Sequence, residues 1–369
     1  MKFVVLKENL EKALATVSRN LSSKPQLPIL STILFKTVKN ELTVLSTNLE
    51  LGISYTIGVK SEKDGETAIP GKLLYEFVSS VRSERLTFSL EGTTLTVTGD
   101  KTKATFATMN ASDYPPFPVL PPVEKKLPTE KIRNIISHVV FAASSDEARP
   151  ILTGVKLVLA ENKLQMIATD GYRLSIESID MPTGTETFQA ILPSNSLTEV
   201  IRVASELKSP EIAFSTIPKK NQMVFFLPQV VIYTNLIDGE FPNVEKIIPQ
   251  SFKTKTVIDK DLFTQSIKTV SLFARGSANI IKLNIEKNGI RLSANTPQVG
   301  TNEDFVEATL EGEESEIAFN YRFLQDLLNN FPDKPVVFEM SGSLNPGLFK
   351  PEDPTLHFTH IIMPVRVQG

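Results

Sequence analysis

A segment that alternates apolar and polar residues and then turns occurs three times in this chain, and no other feature constrains the fold as strongly. The middle copy alternates over residues 164–169 and turns at Asp170-Gly171. This pair favours a hairpin because glycine accepts positive φ and aspartate tolerates it. The first copy turns at Thr47-Asn48, about 122 residues earlier, and the third at Asn295-Thr296-Pro297, about 126 residues later. A solenoid would repeat every ~20–50 residues, so the spacing predicts duplicated domains.

Two segments mark where one repeat ends and the next begins. Residues 115–122 are rich in proline, and residues 249–255 form a second break in the apolar pattern. The motifs Asp113-Tyr114-Pro115 and Glu240-Phe241-Pro242 close the first two repeats. We therefore predict three domains, at residues 1–122, 123–250 and 251–369.

Each repeat contains two segments in which apolar residues recur every three or four positions, the spacing of a helix with one buried face. The six stripes are Leu10, Ala13, Leu14, Val17 and Leu21; Leu74, Phe77, Val78 and Val81; Ile132, Ile135, Ile136 and Val139; Leu197, Val200, Ile201 and Ala204; Phe263, Ile267, Val270 and Ala274; Leu324, Leu327, Leu328 and Phe331. The predicted N-caps are Thr129, Ser194, Asp259 and Asn320. With alternating strand-like segments between the helices, the predicted fold class is α+β: three repeated domains, each with two helices packed on antiparallel sheets.

Composition excludes several classes of protein. The 369 residues include no cysteine, so the chain forms no disulfides and has no thiolate chemistry. No apolar segment approaches the ~18 residues of a membrane span, and the apolar start, Met1–Val5, is too short for a secretory signal. We therefore expect a cytoplasmic protein. A net charge of −3 argues against a strongly basic surface over the whole molecule.

Basic residues nevertheless lie on the polar faces of the predicted helices. They are Lys12, Arg19, Lys72, Arg82, Lys131, Arg133, Arg202, Lys268, Arg275 and Arg322. Acidic residues on the same faces leave open an ordinary solvated surface of mixed charge. The three repeats carry charges of +2, −2 and −3, and opposite signs at the two ends favour a head-to-tail contact between copies.

No catalytic constellation is present in the sequence. His138, His357 and His360 lack the spacing of paired metal ligands, and Gly71-Lys72-Leu73 misses the phosphate loop because Leu73 stands where a hydroxyl is needed. Asp170 has no second carboxylate near it in sequence. We expect no enzyme activity, no metal and no cofactor; an enzyme that uses Asp170 is the weakest alternative.

Taken together, these segments resemble the bacterial DNA sliding clamp family, the β subunits of DNA polymerase III. The resemblance covers the whole chain and rests on Met1-Lys2-Phe3, Lys24–Leu30, Asp146–Leu152, Ala168–Leu174, Gly239–Pro242, Phe319-Asn320 and Met363–Val367. It implies a head-to-tail ring of two subunits, with helices lining a hole through which duplex DNA passes. The basic helix faces would then contact phosphates without reading sequence, joined by the family positions Lys24 and Arg149. It also implies a nucleoid-associated replication protein.

The resemblance further implies a partner groove and a dimer seam. The groove is apolar and binds a short linear motif of the polymerase α subunit, the clamp loader and other partners. Its positions are Leu152, Thr169, Gly171, Tyr172, Arg173, Leu174, Pro242, Lys246, Ile247, Asn320, Phe323, Met363, Pro364, Val365 and Arg366. We expect Arg173 at the rim, Tyr172 in place of the commoner histidine, and Gln368-Gly369 past the usual end.

The seam of the homodimer is expected to join the first repeat to the third. Its family positions are Phe106, Leu272 and Phe273, with Lys101 and Lys103 facing Glu303 and Asp304. The alternative function is a protein-interaction scaffold of the same fold that does not encircle DNA.

Overall fold

Six α-helices are present in the part of the chain that the structure describes. The structure is a computed structural model and describes residues 1–22, 27–181, 187–276, 278–297 and 300–366. The helices are α1 (Lys7–Ser18), α2 (Gly71–Ser80), α3 (Thr129–Val139), α4 (Ser194–Glu206), α5 (Lys260–Ala274) and α6 (Tyr321–Asn329). Each contains most of one predicted stripe, although three stripes extend past the helix ends, to Leu21, Val81 and Phe331. None of these helices is long and apolar enough to cross a membrane.

Antiparallel strands make up most of the remaining structure. They are β1 (Lys2–Leu6), β2 (Thr32–Val38), β3 (Glu41–Thr47), β4 (Leu51–Gly58), β5 (Lys60–Lys63), β6 (Gly65–Pro70), β7 (Arg85–Glu91), β8 (Thr94–Thr98), β9 (Lys103–Ala107), β10 (Lys125–Pro128), β11 (Gly154–Ala160), β12 (Lys163–Thr169), β13 (Arg173–Asp180), β14 (Phe188–Pro193), β15 (Glu211–Ile217), β16 (Gln222–Leu227), β17 (Val230–Asn235), β18 (Thr254–Ile258), β19 (Ile280–Glu286), β20 (Gly289–Thr296), β21 (Gly300–Gly312), β22 (Ser315–Asn320), β23 (Val336–Met340), β24 (Gly347–Pro351) and β25 (His357–Ile362). The first two predicted turns begin at the ends of β3 and β12, which confirms them. The third hairpin, β20–β21, is present, but its turn is predicted too early, because Asn295 and Thr296 still pair with Thr301 and Gly300.

The chain forms two compact units. The first comprises Met1–Thr129 and Glu199–Leu236, and the second comprises Glu130–Thr198 and Ile237–Gly369. These units divide the chain differently from the repeats, whose boundaries near 122 and 250 stay a prediction.

The first unit contains two sheets, with strand orders β5-β1-β7-β8-β9 and β10-β15-β16-β17-β4-β3-β2-β6. Helix α1 packs its predicted stripe inward, and Leu10, Ala13, Leu14 and Val17 are fully buried. The stripe predicted for α2 is buried only at Leu74 and Val78. This alternation of buried and exposed positions is what an amphipathic helix on a sheet requires.

The second unit contains one twelve-stranded sheet, in the order β14-β11-β12-β13-β25-β24-β23-β18-β21-β20-β19-β22. Its core joins the stripes of α5 and α6 to the inner face of the sheet, where Phe338 stacks on Phe349 and Phe319 packs against both rings at a steep angle. Strand β25 therefore lies inside the sheet, between β13 and β24.

The predicted N-caps divide into two pairs. Asp259 caps α5 by accepting from two backbone N–H groups, and the Asn320 side chain accepts from the N–H of Arg322 at the start of α6, so both predictions are confirmed. The predictions at Thr129 and Ser194 are wrong, because each residue is already the first of its helix. A strand that ends on proline leads directly into each of these helices, and the Thr129 hydroxyl is buried without a hydrogen-bond partner.

Candidate peptide-binding groove

The hairpin between β12 and β13 presents one large side chain to solvent. Asp170 Oδ1 accepts from the N–H groups of Tyr172 (2.8 Å) and Arg173 (3.0 Å), and Thr169 Oγ1 accepts from the N–H of Gly171 (3.1 Å). Gly171 has φ +93°, a conformation that disfavours a side chain. The closed turn leaves Tyr172 61% exposed.

The segment after β25 runs beside this hairpin. The N–H of Met363 donates to the carbonyl of Tyr172 (2.9 Å), and the N–H of Val365 donates to that of Ala318 (2.8 Å) in β22. Pro364, between them, has no N–H to satisfy. The predicted positions Tyr172, Met363 and Val365 therefore share one surface, on which Met363 is 39% exposed.

A small apolar cluster forms the adjoining wall. Ile167, Leu174, Val244 and Ile361 are buried together, with Phe241 and Ile248 packed against them. The same segment carries Pro242, Lys246 and Ile247 to the surface, where Ile247 is 43% exposed. Leu174 is thus beneath the groove, while Pro242 and Ile247 stand at its edge.

Leu152 approaches the groove from a short 3₁₀ turn, Pro150–Thr153. Its N–H donates to the Arg149 carbonyl (3.0 Å), and its own carbonyl accepts from Ser144 (2.8 Å). A Cβ on Gly171 would lie 3.7 Å from Arg149 Nη1, so this turn is close to the hairpin. Arg149 itself pairs with Asp146 (3.3 Å).

Arg173 is enclosed, and the expectation that it lies at the rim is wrong. Its Nε donates to Asp170 Oδ2 (3.0 Å), and its Nη1 donates to Asp326 Oδ2 (2.6 Å) on α6. The guanidinium lies over two rings, 4.8 Å from the centre of Phe323 and 5.6 Å from that of Phe141. With its side chain 11% exposed, Arg173 fastens the hairpin to α6.

Asn320 and Arg366 are the remaining predicted positions of the surface. Asn320 serves as the cap of α6, so its side-chain oxygen is occupied. Arg366 is exposed. Val367, Gln368 and Gly369 lie outside the described residues, and so does the effect predicted for the Gln368-Gly369 extension. Sequence reasoning missed Phe141, Asp326 and Ile361. Asp326 and Ile361 lie within three residues of the predicted positions Phe323 and Met363, but the family positions do not include them.

The histidines have structural surroundings. His360 is fully buried, with its Nδ1 2.6 Å from Ser175 Oγ, and burial lowers the pKa of its imidazole to about 3. His138 Nδ1 lies 2.8 Å from Glu177 Oε2. Among the described residues, no cluster of histidine and carboxylate side chains could hold a metal ion.

The described basic residues predicted to face DNA are almost all exposed, although four are engaged in ion pairs: Arg149 with Asp146, as described above, and three on the helices. Lys12 pairs with Glu8, Arg19 with Glu206, and Arg202, which is half-buried, with Glu199 and Glu206. The exposed residues that pair with no described residue are Lys72, Arg82, Lys131, Arg133, Lys268, Arg275 and Arg322. Lys24 lies outside the described residues.

The predicted seam positions differ in accessibility. Leu272 is 57% exposed on α5 and Phe273 is half-buried, whereas Phe106 is buried with its ring edge-on to Phe77 (5.6 Å). Lys101, Lys103 and Glu303 are exposed, and Asp304 is half-buried.

Comparison with known proteins identifies the family to which this fold belongs. Residues 1–119 match the N-terminal domain of the DNA polymerase III beta subunit, residues 126–243 its central domain, and residues 245–366 its C-terminal domain. A "Beta sliding clamp" of Staphylococcus epidermidis is 27% identical over 99% of both chains.

Solved structures give the same result. The DNA polymerase III beta chain of Streptococcus pneumoniae superposes with a TM-score of 0.94 at 27% identity, covering 99% of this chain and 100% of that one. The beta subunit of Thermotoga maritima superposes with a TM-score of 0.91 at 28% identity and covers both chains completely. The three domains of one family thus follow one another along the sequence, and this chain belongs to the family of DNA polymerase III β subunits, the bacterial sliding clamps.

Proposed function

We propose that two copies of this chain join head to tail, encircle duplex DNA and tether the replicative polymerase to it. The observation that carries the proposal is the succession of three β-subunit domain matches along residues 1–366. The family is a non-catalytic processivity subunit, so the chain acts by topology and tethering. Its domains follow the repeats, with boundaries near 122 and 250.

The wall that faces DNA is formed by exposed basic residues on the helices. A ring need not be basic overall, because only its inner surface has to attract phosphates. Contacts with phosphates carry no sequence information and weaken steeply as salt rises, which suits a protein that must slide. The unpaired residues Lys72, Arg82, Arg133 and Arg275 support this role, and Lys24 and Arg149 are proposed to join them.

The groove binds a short segment of the polymerase α subunit or the clamp loader. Tyr172, Ile247 and Met363 offer exposed apolar surface beside the hairpin turn, in which the N–H groups of Gly171, Tyr172 and Arg173 are already hydrogen-bonded. Burying two or three anchors would contribute about 3–9 kcal/mol before the cost of ordering the peptide, which corresponds to a net affinity of around micromolar. The backbone of the hairpin turn needs no rearrangement to accept such a segment.

The seam uses the exposed side chain of Leu272 on α5, beside Phe273. Lys101 and Lys103 of one copy face Glu303 and Asp304 of the other, and this opposition of charge favours the head-to-tail arrangement. Phe106 supports the seam from within its own domain, since its ring is already covered by Phe77. We place the protein in the cytoplasm, associated with the nucleoid.

Retention on closed DNA tests the ring against a scaffold that does not encircle DNA. Copies loaded on closed circular DNA should remain bound in high salt, where exposed phosphate contacts are screened. They should slide off once that DNA is cut. Equal loss from cut and closed circles, measured by gel filtration, would favour the scaffold.

A further inference from the structure

One carboxylate oxygen of Glu206 accepts hydrogen bonds from two of the arginines predicted to face DNA. Glu206 Oε1 accepts from Arg19 Nη1 (2.8 Å) and from Arg202 Nη1 (2.8 Å). Arg202 also contacts both oxygens of Glu199, one of them at 2.8 Å from its Nε. Two guanidinium groups and two carboxylates therefore form one cluster whose formal charge is zero.

This cluster joins the ends of two helices within the first compact unit. Arg19 is the residue that caps the C-terminus of α1, and Glu206 is the last residue of α4. Their side chains are 44% and 42% exposed, so an anion in solution can approach the pair without any movement of the backbone. Arg202 lies deeper, at 27%, and keeps Glu199 as a second partner.

We propose that Glu206 limits the affinity of the wall for DNA by competing with phosphates for Arg19. This inference rests on the proposed function and concerns its regulation: the residue keeps contact with the duplex weak enough for sliding. A phosphate that takes Arg19 must first displace Glu206. Because ion pairs between exposed side chains are weak, a phosphate displaces Glu206 from Arg19 easily, and Glu206 displaces the phosphate just as easily.

The other basic residues of the wall provide the contrast. Lys72, Arg82 and Arg275 are exposed and pair with no described residue, so a phosphate meets no competitor there. Arg19 is the position at which an acidic side chain is supplied from a second helix, 187 residues away in sequence.

The test is Glu206→Gln, measured as binding to linear duplex DNA across a salt series. Release of Arg19 should add one phosphate contact, which steepens the slope of log K against log salt by about 0.9 and raises low-salt affinity by roughly three- to tenfold. The matched control is Glu41→Gln, because Glu41 is exposed at the start of β3, pairs with no described residue and changes the net charge equally. The control should show little change in slope.

The double variant Arg19→Ala/Glu206→Gln tests whether the gain in DNA affinity of Glu206→Gln acts through Arg19. The double variant should not show this gain, because it lacks the guanidinium that Glu206→Gln releases. Equal behaviour of Glu206→Gln and Glu41→Gln, or weaker binding by Glu206→Gln in a protein with unchanged circular dichroism, would overturn the inference. Wild-type protein that is not retained on closed circular DNA would instead overturn the proposed function, whatever the variants do.

Discussion

The hairpins β3–β4 and β12–β13 are two copies of one backbone design, each paired on its far side with a third strand. In the first copy Asn48 Oδ1 accepts from two N–H groups at 3.0 and 2.8 Å; in the second, Asp170 Oδ1 does so at 2.8 and 3.0 Å. The preceding threonine, Thr47 or Thr169, accepts from the N–H two residues later at 3.1 Å in both. The turn is therefore conserved between the copies down to its hydrogen bonds.

At two corresponding places, the side chains on this shared backbone are apolar in the first hairpin and polar in the second. Leu51 in the first copy corresponds to Arg173 in the second, and the buried cross-strand pair Ile53–Ile232 corresponds to the buried pair Ser175–His360. The apolar copy stays inside a core, whereas the polar copy lies under the groove and fastens it to α6. The two hairpins thus share their backbone geometry, and the second differs from the first in the side chains that lie next to the groove.

The largest predicted effect of this difference is acid sensitivity of the second copy. The pKa of His360 is lowered from 6.5 to about 3, mainly by burial and also by Arg173. Between pH 6.5 and about 3, His360 is therefore protonated in the unfolded chain but neutral in the native protein. The free energy of unfolding that is present above pH 6.5 is lost as the pH falls towards 3. At about 1.4 kcal/mol per pKa unit, the loss is about 2 kcal/mol by pH 5 and about 5 kcal/mol in full.

The variant Ser175→Val/His360→Leu gives the second copy the apolar pair of the first. Urea unfolding at pH 7 and pH 5 should show a smaller loss of stability in this variant than in the wild type, by about 2 kcal/mol. The ion pair between His138 and Glu177 is present in both proteins, so its contribution cancels in the difference. Identical losses would mean that His360 is protonated without cost in the native state.

Local patterns in the sequence predicted the frame, and contacts between distant residues could not be predicted. The stripe of α1 and the three turns are repeated signals within short windows, so the helices and hairpins followed from them. Asp326 lies 153 residues from Arg173 and Glu206 lies 187 from Arg19, and neither pairing leaves a local signal. The groove positions came from the family resemblance, which gives residues but not their burial; Arg173 was therefore expected at the rim.

An intermediate effect is predicted for Arg173→Leu, which places the leucine of the first copy in the second. Asp170 and Asp326 then lose their shared partner. Breaking a buried ion pair costs about 3–5 kcal/mol, but Asp326 is 46% exposed, so we expect about 2–3 kcal/mol in urea unfolding. Adding Asp170→Asn to Arg173→Leu places at residue 170 the asparagine that the first copy has at residue 48. The double variant should regain part of the lost stability, because Asp170 is the less exposed of the two carboxylates that Arg173→Leu leaves unpaired. If the second change gives no recovery, Asp170 is not what the arginine stabilises.

The smallest effect is predicted for Tyr172→Ala, which tests whether only the second copy binds a peptide. The corresponding residue of the first copy is Glu50, also exposed after an identical turn, so Glu50→Ala is the matched control. The tyrosine ring is 61% exposed, and its side chain has no hydrogen bond or ring contact with another described residue, so its removal should leave thermal stability nearly unchanged. A peptide that buries part of the ring should bind about tenfold more weakly, a loss of about 1.4 kcal/mol. Calorimetric titration with a motif peptide from a polymerase α subunit measures this. Unchanged affinity in Tyr172→Ala, or an equal loss in Glu50→Ala, would place the peptide on another surface.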